Sequence, residues 1–485
     1  MKDFDVIIIG SGIGGLISAG ILSAKGFKTL LVEKNKTPGG YLASFRRRGF
    51  IFDSSLDCIS GVAPGGLIFR VMELLQVHKS INLVQVDPIR ISIFPDIEVP
   101  VDSDIHAYME RLAALFPSEC EAIKKFFGLL DRIYCGMQSA IPMMVAGKLE
   151  LQKIIPEIVK FSHIPYGRLL DECITDYRLK SVLSDRCSFI GLPPSTVSTL
   201  SMINIIMSYF KLGAYRLVGG SQCLADAFVE GIKKAGGKVI LGNGTKKILF
   251  HEDGHCLGIT CDDGDEYTAR FIISNADFQN TFRNLLGGEY TSIAEDMQKN
   301  IGISTSFFMV YAGISGSIEK HSSIGYFSSY NVEDCFIPGR AFKEDSSTAG
   351  ITVASIEDKS RAPDSCHTVV FHEIVETSYE KLDKAKCTEI IMKKAEKIIP
   401  GIRDRTIVLD SATPQTFQRY SGNLNGSAFG WRQIPGFRGV KRHGIKNLYI
   451  AGHWGDMGGG VLAAAYSGAK AAADICGEEG IAIDF

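Results

Sequence analysis

The sequence predicts an α/β protein in which a parallel sheet covered by helices is joined to a second domain of mixed helices and strands. Three separated segments support this prediction. Residues 4–25 suggest a strand, a glycine-rich turn and a helix, residues 222–274 a helix followed by strands, and residues 447–476 a strand, a loop and a helix. A chain of 485 residues with 45% hydrophobic content can bury a large core, and its length favours more than one domain.

The overall charge predicts no attraction of the whole protein to nucleic acid or anionic lipid. The chain carries 52 Lys and Arg against 54 Asp and Glu, a formal net charge of −2. Its 12 cysteines include no C-x-x-C pair, so we expect reduced thiols, a cytoplasmic protein and no metal site. The uncharged residues 6–24 follow two aspartates and are interrupted by glycines, which favours a strand, a turn and a buried helix over a membrane span.

The first segment has the pattern of a dinucleotide-binding turn. Phe4 to Ile9 is an apolar, β-branched run that suits a strand buried on both faces. The next residues fit G-x-G-x-x-G, with Gly10 at the turn, Gly12 where a pyrophosphate approaches and Gly15 where helix packs on strand. A helix from about Gly14 to Lys25 would direct its free N–H groups and positive dipole end at the phosphates.

An acidic residue follows at the expected distance. The apolar run Lys28 to Val32 predicts a second strand, and Glu33 ends it, 23 residues after Gly10. A carboxylate there can accept hydrogen bonds from an adenosine ribose and would repel a 2′-phosphate. The alternative is a strand–helix–strand unit that binds no ligand.

The segment after Glu33 carries a family resemblance. Gly39 and Gly40 allow a loop to pass beside the dinucleotide, and EKNKTPGGYLASFRRRGFIFD, residues 33–53, resembles the flavin-binding signature of the phytoene desaturase, carotenoid isomerase and retinol saturase family, relatives of the amine oxidases. The resemblance implies FAD and a Rossmann-type domain of the glutathione-reductase and amine-oxidase type. Many relatives have an arginine where this chain has Ala43. Either one of the arginines at 46–48 contacts the phosphate instead, or they form a solvated turn.

Two later segments extend the resemblance. A double glycine at 219–220 precedes a helix, and the return strand ends in an SNAD-like turn at Asn275. The resemblance places the adenine near Lys247 and Ile248. At the C-terminal end, a glycine-rich turn at 458–461 opens a helix whose N-terminus would stabilise a reduced flavin at N1 and O2. Asp456 either contacts the ribityl or pyrophosphate group or caps that helix.

These arguments give a set of expected cofactor contacts and a domain division. The residues expected at FAD are Gly10, Gly12, Gly14, Gly15, Glu33, Lys34, Gly39, Gly40, Lys247, Ile248, Asn275, Gly452, Asp456, Gly459, Gly460 and Val461. The FAD-binding domain is expected at 1–72, 215–292 and 405–485, and a substrate-binding domain at 73–214 and 293–404.

Few side chains qualify for proton transfer. The catalytic candidates are His453, Tyr420 and Asp57, with Tyr466 as a further one, and each could instead be structural. His453 is the first choice, because it precedes the flavin-facing helix and histidine titrates near neutrality. Asp57 stands where relatives usually carry a small residue.

The remaining segments concern the substrate. Residues 413–431 resemble the part of the family that borders the substrate channel, which implies an apolar slot lined by Phe417, Tyr420, Phe429 and Trp431. The Met-rich stretch 139–164 suits core packing, the mouth of an apolar cavity or a peripheral contact with a membrane. The oligomeric state is open.

Three functions compete. The resemblance favours an FAD-dependent oxidoreductase that desaturates or saturates double bonds of a hydrophobic polyene or isoprenoid lipid. A flavin-dependent cis–trans isomerase is the close alternative. A prenyl-lipid binder of the Rab escort or GDP-dissociation inhibitor type is the non-catalytic one, against which the intact glycine pattern argues. Amine oxidation is disfavoured, because no clear equivalent of the lysine and aromatic pair common in amine oxidases is present.

Overall fold

Two large sheets organise the protein. A computed structural model describes residues 2–145, 156–252, 254–318, 321–376, 382–437 and 443–482. Both sheets have seven strands, and two small two-stranded sheets accompany them. The predicted α/β class is confirmed.

The strands alternate irregularly between the sheets along the chain. They are β1 Lys2–Ile9, β2 Thr29–Glu33, β3 Ser44–Arg47, β4 Phe50–Asp53, β5 Leu83–Gln85, β6 Arg90–Ile93, β7 Glu98–Val101, β8 Tyr215–Leu217, β9 Lys238–Leu241, β10 Thr245–Phe250, β11 Cys256–Cys261, β12 Glu266–Ser274, β13 Ser306–Ser315, β14 Ser323–Tyr326, β15 Thr348–Thr352, β16 Cys366–Val375, β17 Thr406–Ala412 and β18 Leu448–Ile450.

The helices share hydrophobic cores with both sheets. They are α1 Ile13–Ala24, α2 Leu67–Leu74, α3 Ile105–Leu115, α4 Cys120–Val145, α5 Pro156–Phe161, α6 Tyr166–Cys173, α7 Tyr177–Leu183, α8 Thr199–Leu212, α9 Gln222–Lys234, α10 Phe278–Asn280, α11 Thr291–Ile301, α12 Lys384–Ile398, α13 Pro414–Ser421 and α14 Val461–Glu478. Part of the Met-rich stretch, residues 146–155, lies outside the described residues.

The first sheet brings together the three segments that the sequence singled out. Its strand order is β10-β11-β12-β1-β2-β9, and β18 pairs in parallel with β12. At its carboxyl edge Ile9 is paired with Ser274, which is paired in turn with Ile450. The turns that follow β1, β12 and β18 therefore begin side by side, where ligands of open parallel sheets bind.

The second sheet is mostly antiparallel and has the order β17-β13-β16-β15-β14-β6-β7. It corrects one predicted boundary. Residues 405–412 were expected in the FAD-binding domain, but β17 pairs along its length with β13. It also includes strands β6 and β7, which lie within 73–214.

Helix α14 lies directly against α1. A Cβ atom on Gly468 would come within 2.1 Å of the Gly14 carbonyl oxygen, closer than any side chain allows. Eleven of the twelve residues of α1 are buried, so α1 has no room to retreat. The small residues of α14 therefore fix the distance between two helices that both start at the cavity described below.

We expect Gly468→Val to lower the free energy of unfolding by roughly 3 kcal/mol or more, because overpacking here meets backbone instead of a movable side chain. Chemical denaturation monitored by circular dichroism measures the change. Gly477→Ala is the matched control on the same helix, since a Cβ there meets nothing within 4 Å; it should stabilise the protein by about 0.5–1 kcal/mol. Equal stability of the Val variant and the wild type would contradict the packing.

Candidate cofactor and substrate site

One cavity of about 720 Å³ extends from the carboxyl edge of the first sheet to the face of the second. This volume lies within the usual range for ligand sites. Most of the residues expected at the cofactor line it, namely Gly10, Gly12, Gly14, Glu33, Lys34, Gly39, Gly40, Asn275, Gly452, Asp456, Gly459, Gly460 and Val461. The segments that supply them are far apart in the sequence and meet only in the fold.

The glycine turn after β1 is in close contact with its neighbours. Gly12 caps α1 in an extended conformation and forms an isolated parallel bridge with Gly39. A Cβ on Gly14 would lie 2.6 Å from the Gly452 nitrogen, and one on Gly15 would lie 2.0 Å from the Gly10 carbonyl oxygen. Gly15 therefore packs behind the turn and does not line the cavity, whereas the free N–H groups of α1 open toward it.

Asn275 holds the turn from the other side. Its Nδ2 donates to the Gly10 carbonyl oxygen at 3.2 Å. The same side chain lies where a Cβ on Gly12, Gly14 or Gly452 would clash. Asn275 therefore braces the turn as well as lining the cavity.

Glu33 lies buried at the opposite end of the cavity from the second sheet. Its Oε2 accepts from the Ser11 backbone N–H at 2.9 Å and from the Ser11 hydroxyl at 2.7 Å. Its Oε1 accepts from the Asn35 backbone N–H at 2.8 Å. The carboxylate is thus held rigidly and keeps acceptor capacity for ribose hydroxyls.

The structure places two predicted adenine contacts away from the cavity. Lys247 is exposed on β10, and Ile248 is fully buried in the core of the first sheet. Gly244, Thr245 and Asp262 line the cavity here instead. Which residues of this hairpin line the cavity depends on its strand register, because a shift of a few residues along a strand changes which side chains face a ligand.

The N-terminus of α14 faces the cavity. Gly460 is its N-cap with φ of +97° and receives no side-chain cap. A Cβ on Gly459 would be 2.4 Å from the Phe429 carbonyl oxygen, so the glycines let this helix end approach the cavity closely. Asp456 does not cap the helix; it lines the cavity and pairs with Lys470 at 3.8 Å. The exposed N–H groups favour a negative charge.

His453 is held as a neutral imidazole. Its Nε2 lies 3.1 Å from Asn423 Oδ1, which also accepts from the Trp454 indole N–H at 2.9 Å. Because an indole N–H only donates, the atom of Asn423 that faces it must be the amide oxygen. This oxygen can only accept, so Nε2 of His453 must carry a proton and donate it. Burial lowers the pKa of His453 to about 4, although a backbone hydrogen bond with Ala428 acts to raise it. The expectation that His453 titrates near neutrality is therefore wrong.

Tyr420 lies at the wrong end of the cavity for catalysis at the flavin. Its side chain is 61% exposed, and its carbonyl oxygen accepts from Asn35 Nδ2 at 2.8 Å, beside Glu33. Tyr41 was not among the predicted site residues but lines the cavity. Its hydroxyl donates to the Ser427 carbonyl oxygen at 2.8 Å. Burial raises the pKa of Tyr41 to about 12, so it remains protonated. Tyr466 also lines the cavity.

Asp57 is an ion-paired carboxylate. It lines the cavity, and its Oδ1 accepts from Arg216 Nη2 at 2.7 Å while its Oδ2 accepts from the Ser323 hydroxyl at 2.5 Å. Burial on its own would raise the pKa of Asp57, but the Arg216 guanidinium and the Ser323 hydroxyl hold it below its usual value. Asp57 therefore stays ionised near neutrality and is a weak base.

The expected apolar slot is formed in part. Phe417 and Phe429 line the cavity. Trp431 does not, because it is fully buried in the core, where its indole N–H donates to the Trp454 carbonyl oxygen at 3.0 Å. The arginines at 46–48 do not line the cavity either; they are exposed on and after β3, and Arg47 pairs with Asp410 at 3.2 Å.

Comparison with known proteins identifies the family. The family model described as flavin containing amine oxidoreductase matches residues 188–476, and an NAD(P)-binding Rossmann-like domain matches residues 8–75. The chain belongs to the flavin-containing amine oxidoreductase family. Its members are flavin enzymes, and FAD is the cofactor of this one.

Curated relatives match nearly the whole chain. A prolycopene isomerase of an Oncidium hybrid cultivar is 26% identical over 99% of this chain and 85% of its own length. A neurosporene-forming phytoene desaturase of Rhodobacter capsulatus is 27% identical over 95% of this chain and 92% of its own length. An all-trans-retinol 13,14-reductase of Danio rerio is 26% identical over 98% and 86%.

Solved structures share the fold. An oxidoreductase from Methanosarcina mazei has 18% identity and a TM-score of 0.68, covering 96% of this chain and 99% of its own. Putrescine oxidase bound to putrescine has 13% identity and a TM-score of 0.65, covering 98% and 99%. The predicted Rossmann-type fold of the amine-oxidase group is confirmed.

The cavity fits FAD. In this cavity Glu33 would accept from the ribose, the N-terminus of α1 would face the pyrophosphate, and the N-terminus of α14 would face the isoalloxazine. Gly40 supports this fit, because a Cβ there would meet only the Gly12 Cα, at 3.5 Å, and would otherwise project into the cavity.

We expect Gly12→Glu to abolish FAD binding, because the new side chain meets Asn275 and places a negative charge at the pyrophosphate end of α1. The ratio of flavin absorbance to protein absorbance measures occupancy. Gly288→Glu is the control, since a Cβ at this exposed position meets nothing within 4 Å. Full occupancy in the Gly12 variant would rule out the assigned position of FAD.

The buried imidazole of His453 also predicts a pH effect on stability. Its pKa of about 4 lies below the usual value, so its contribution is present above about pH 6.5 and is lost as the pH falls toward 4. His453→Gln should reduce the slope of the unfolding free energy against pH in this range. The reduction is at most about 1.4 kcal/mol per pH unit, the value for one proton. Denaturant unfolding of both holoproteins at pH 7 and pH 5 measures the difference; identical slopes would contradict it.

Proposed function

We propose that this protein is an FAD-dependent oxidoreductase that desaturates or saturates carbon–carbon double bonds of a hydrophobic polyene. The observation that carries this proposal is the continuity of the cavity, which joins the residues expected at FAD to a lining of aromatic side chains that includes Phe307 of the second sheet. The three relatives described above act by their names on prolycopene, phytoene and retinol, which are all polyenes.

The residues around the cavity suit a flat, conjugated ligand. Phe307, Phe417 and Phe429 line it, and the Phe307 and Phe429 rings lie 5.9 Å apart at a steep angle. Such rings bind and orient a planar chain and keep water from it. Gly459 contacts Phe429, so this aromatic group begins next to the N-terminus of α14.

The flavin, when bound, supplies the acceptance or donation of a hydride. The chain's own contribution is electrostatic: the N–H groups at the start of α14 stabilise negative charge on the reduced ring. A desaturation forms one C=C bond, with a hydride leaving one carbon and a proton leaving the next, and saturation is the reverse. Either direction requires a group that handles a proton.

Proton handling favours a second candidate function, cis–trans isomerisation. His453 is neutral and Asp57 is held ionised by Arg216, so neither is poised to exchange a proton with a substrate near neutral pH. An isomerisation changes no atom count and needs no net proton transfer. Among the relatives, the Oncidium protein is named as an isomerase.

Anaerobic incubation of the holoprotein with matched cis and trans polyenes tests both candidates. A desaturase would bleach the flavin absorbance and form a product two hydrogens lighter, and a saturase supplied with reduced flavin would form one two hydrogens heavier. An isomerase would leave the mass unchanged and shift the polyene spectrum. The flavin-free Gly12→Glu protein is the control. No change in flavin or polyene with any substrate would refute the proposed function.

A peripheral membrane contact and a cytoplasmic location stay predictions. The described part of the chain contains no helix with the length and apolar character for crossing a bilayer. Val159 on α5 is 55% exposed, and its neighbour Ile158 lines the cavity. An apolar surface beside the cavity would suit the uptake of a lipid-soluble substrate.

A further inference from the structure

Part of the cavity is unexpectedly polar for a site that binds hydrocarbon. Where the cavity reaches the second sheet, His372 of β16 and Thr352 of β15 line it, and Asp57 comes in from the loop after β4. We call these three residues the polar subsite. The ring of Phe307, centred 6.4 Å from that of His372, separates it from Phe429 and the N-terminus of α14.

Asp57 presents a charged oxygen surface that is only partly used. Its side chain is 15% exposed, and its partners are Arg216 and Ser323. Arg216 itself is fully engaged, because it also contacts Glu357 and donates to the Ser322 carbonyl oxygen at 3.0 Å. A carboxylate can accept about four hydrogen bonds, so Asp57 retains capacity toward the cavity.

His372 completes the subsite with a ring nitrogen. Its Nε2 lies 3.1 Å from the Thr352 hydroxyl. This is the hydrogen bond that the imidazole forms with the described residues. The ring is partly exposed to the cavity, which leaves Nδ1 for a ligand. Burial lowers the pKa of His372 to about 4, with Asp57 opposing that effect and Arg90 and Arg216 adding to it. The imidazole is therefore neutral.

The charges around the subsite balance. Arg90 also lines the cavity; its guanidinium lies against Gly325, where a Cβ would be 2.3 Å from its Nη2, and it pairs with Asp185 at 3.7 Å. The buried arginines Arg90, Arg186 and Arg216 are matched in number by the carboxylates Asp57, Asp185 and Glu357. An anionic ligand would find no excess positive charge here and would face the ionised Asp57.

We propose that the polar subsite binds a hydroxyl group of the substrate, so that the preferred substrate is a polyene alcohol and not a hydrocarbon or a carboxylic acid. This inference rests on the proposed function. A hydroxyl can donate its single hydrogen to Asp57 and at the same time accept from His372 when Nδ1 carries the ring proton, in which case the Thr352 hydroxyl donates to Nε2. A hydrocarbon end would exclude water and leave Nδ1 of His372 and the remaining acceptor capacity of Asp57 unsatisfied, which is unfavourable.

Three compounds with the same conjugated chain and different ends test this inference on the holoprotein. An alcohol, a hydrocarbon and a carboxylic acid are compared by their kcat and KM, and by Kd from perturbation of the oxidised flavin spectrum. We expect the alcohol to bind at least about 10-fold more tightly than either analogue, the effect of one satisfied hydrogen bond to a charged group.

Substitution of His372 gives the second measurement. His372→Phe should raise KM for the alcohol about 10-fold and leave KM for the hydrocarbon unchanged, because the imidazole forms its hydrogen bond only with a substrate that carries the hydroxyl. His372→Asn, which keeps a donor and an acceptor, should restore part of the affinity. The matched control is His367→Phe on the same strand, whose side chain bonds to Ser355 and does not line the cavity.

The outcomes separate the two proposals. If the flavin and all three compounds stay unchanged, the proposed function fails and this inference fails with it. If polyenes react but the alcohol has no advantage, if the acid binds best, or if His372→Phe weakens alcohol and hydrocarbon equally, the polar subsite alone is refuted.

Discussion

The close approach of three backbone segments at one edge of the first sheet is the constraint on which the cofactor site depends. The turns after β1, β12 and β18 start from paired residues, and glycines at 14 and 452 let them approach within distances that no Cβ would permit. The dinucleotide turn, the brace at Asn275 and the N-terminus of α14 take their positions from this contact. The same contact holds α14 against α1 through Gly468.

The spacing of the glycines allowed the cofactor half of the site to be predicted from the sequence. A turn that brings backbone N–H groups to a phosphate needs glycine at fixed intervals, so its pattern is local. Contacts that depend on strand register are different. The adenine end was placed at Lys247 and Ile248, whereas Gly244 and Thr245 line the cavity, because a hairpin's register is set by its turn and its neighbours.

The substrate half depends on pairings that no local pattern reveals. Asp57 and Arg216 are 159 residues apart, and only the fold shows that they form an ion pair. Strand β6, Arg90 to Ile93, alternates polar and apolar residues over only four positions, which is too short to identify a strand from the sequence. The surroundings that keep His453 neutral include Tyr41 and the loop that follows α13, and a histidine's burial cannot be inferred from its immediate neighbours in the sequence.

The order in which β1, β12 and β18 occur along the chain has a consequence for biosynthesis. The first forms at residues 2–9 and the last at 448–450, and α14 begins at Val461. During translation the N-terminal glycine turn therefore waits for its partners until residue 461 has been synthesised. The cavity cannot be complete before that point, and until then the unfinished edge of the first sheet is open to pairing with another molecule.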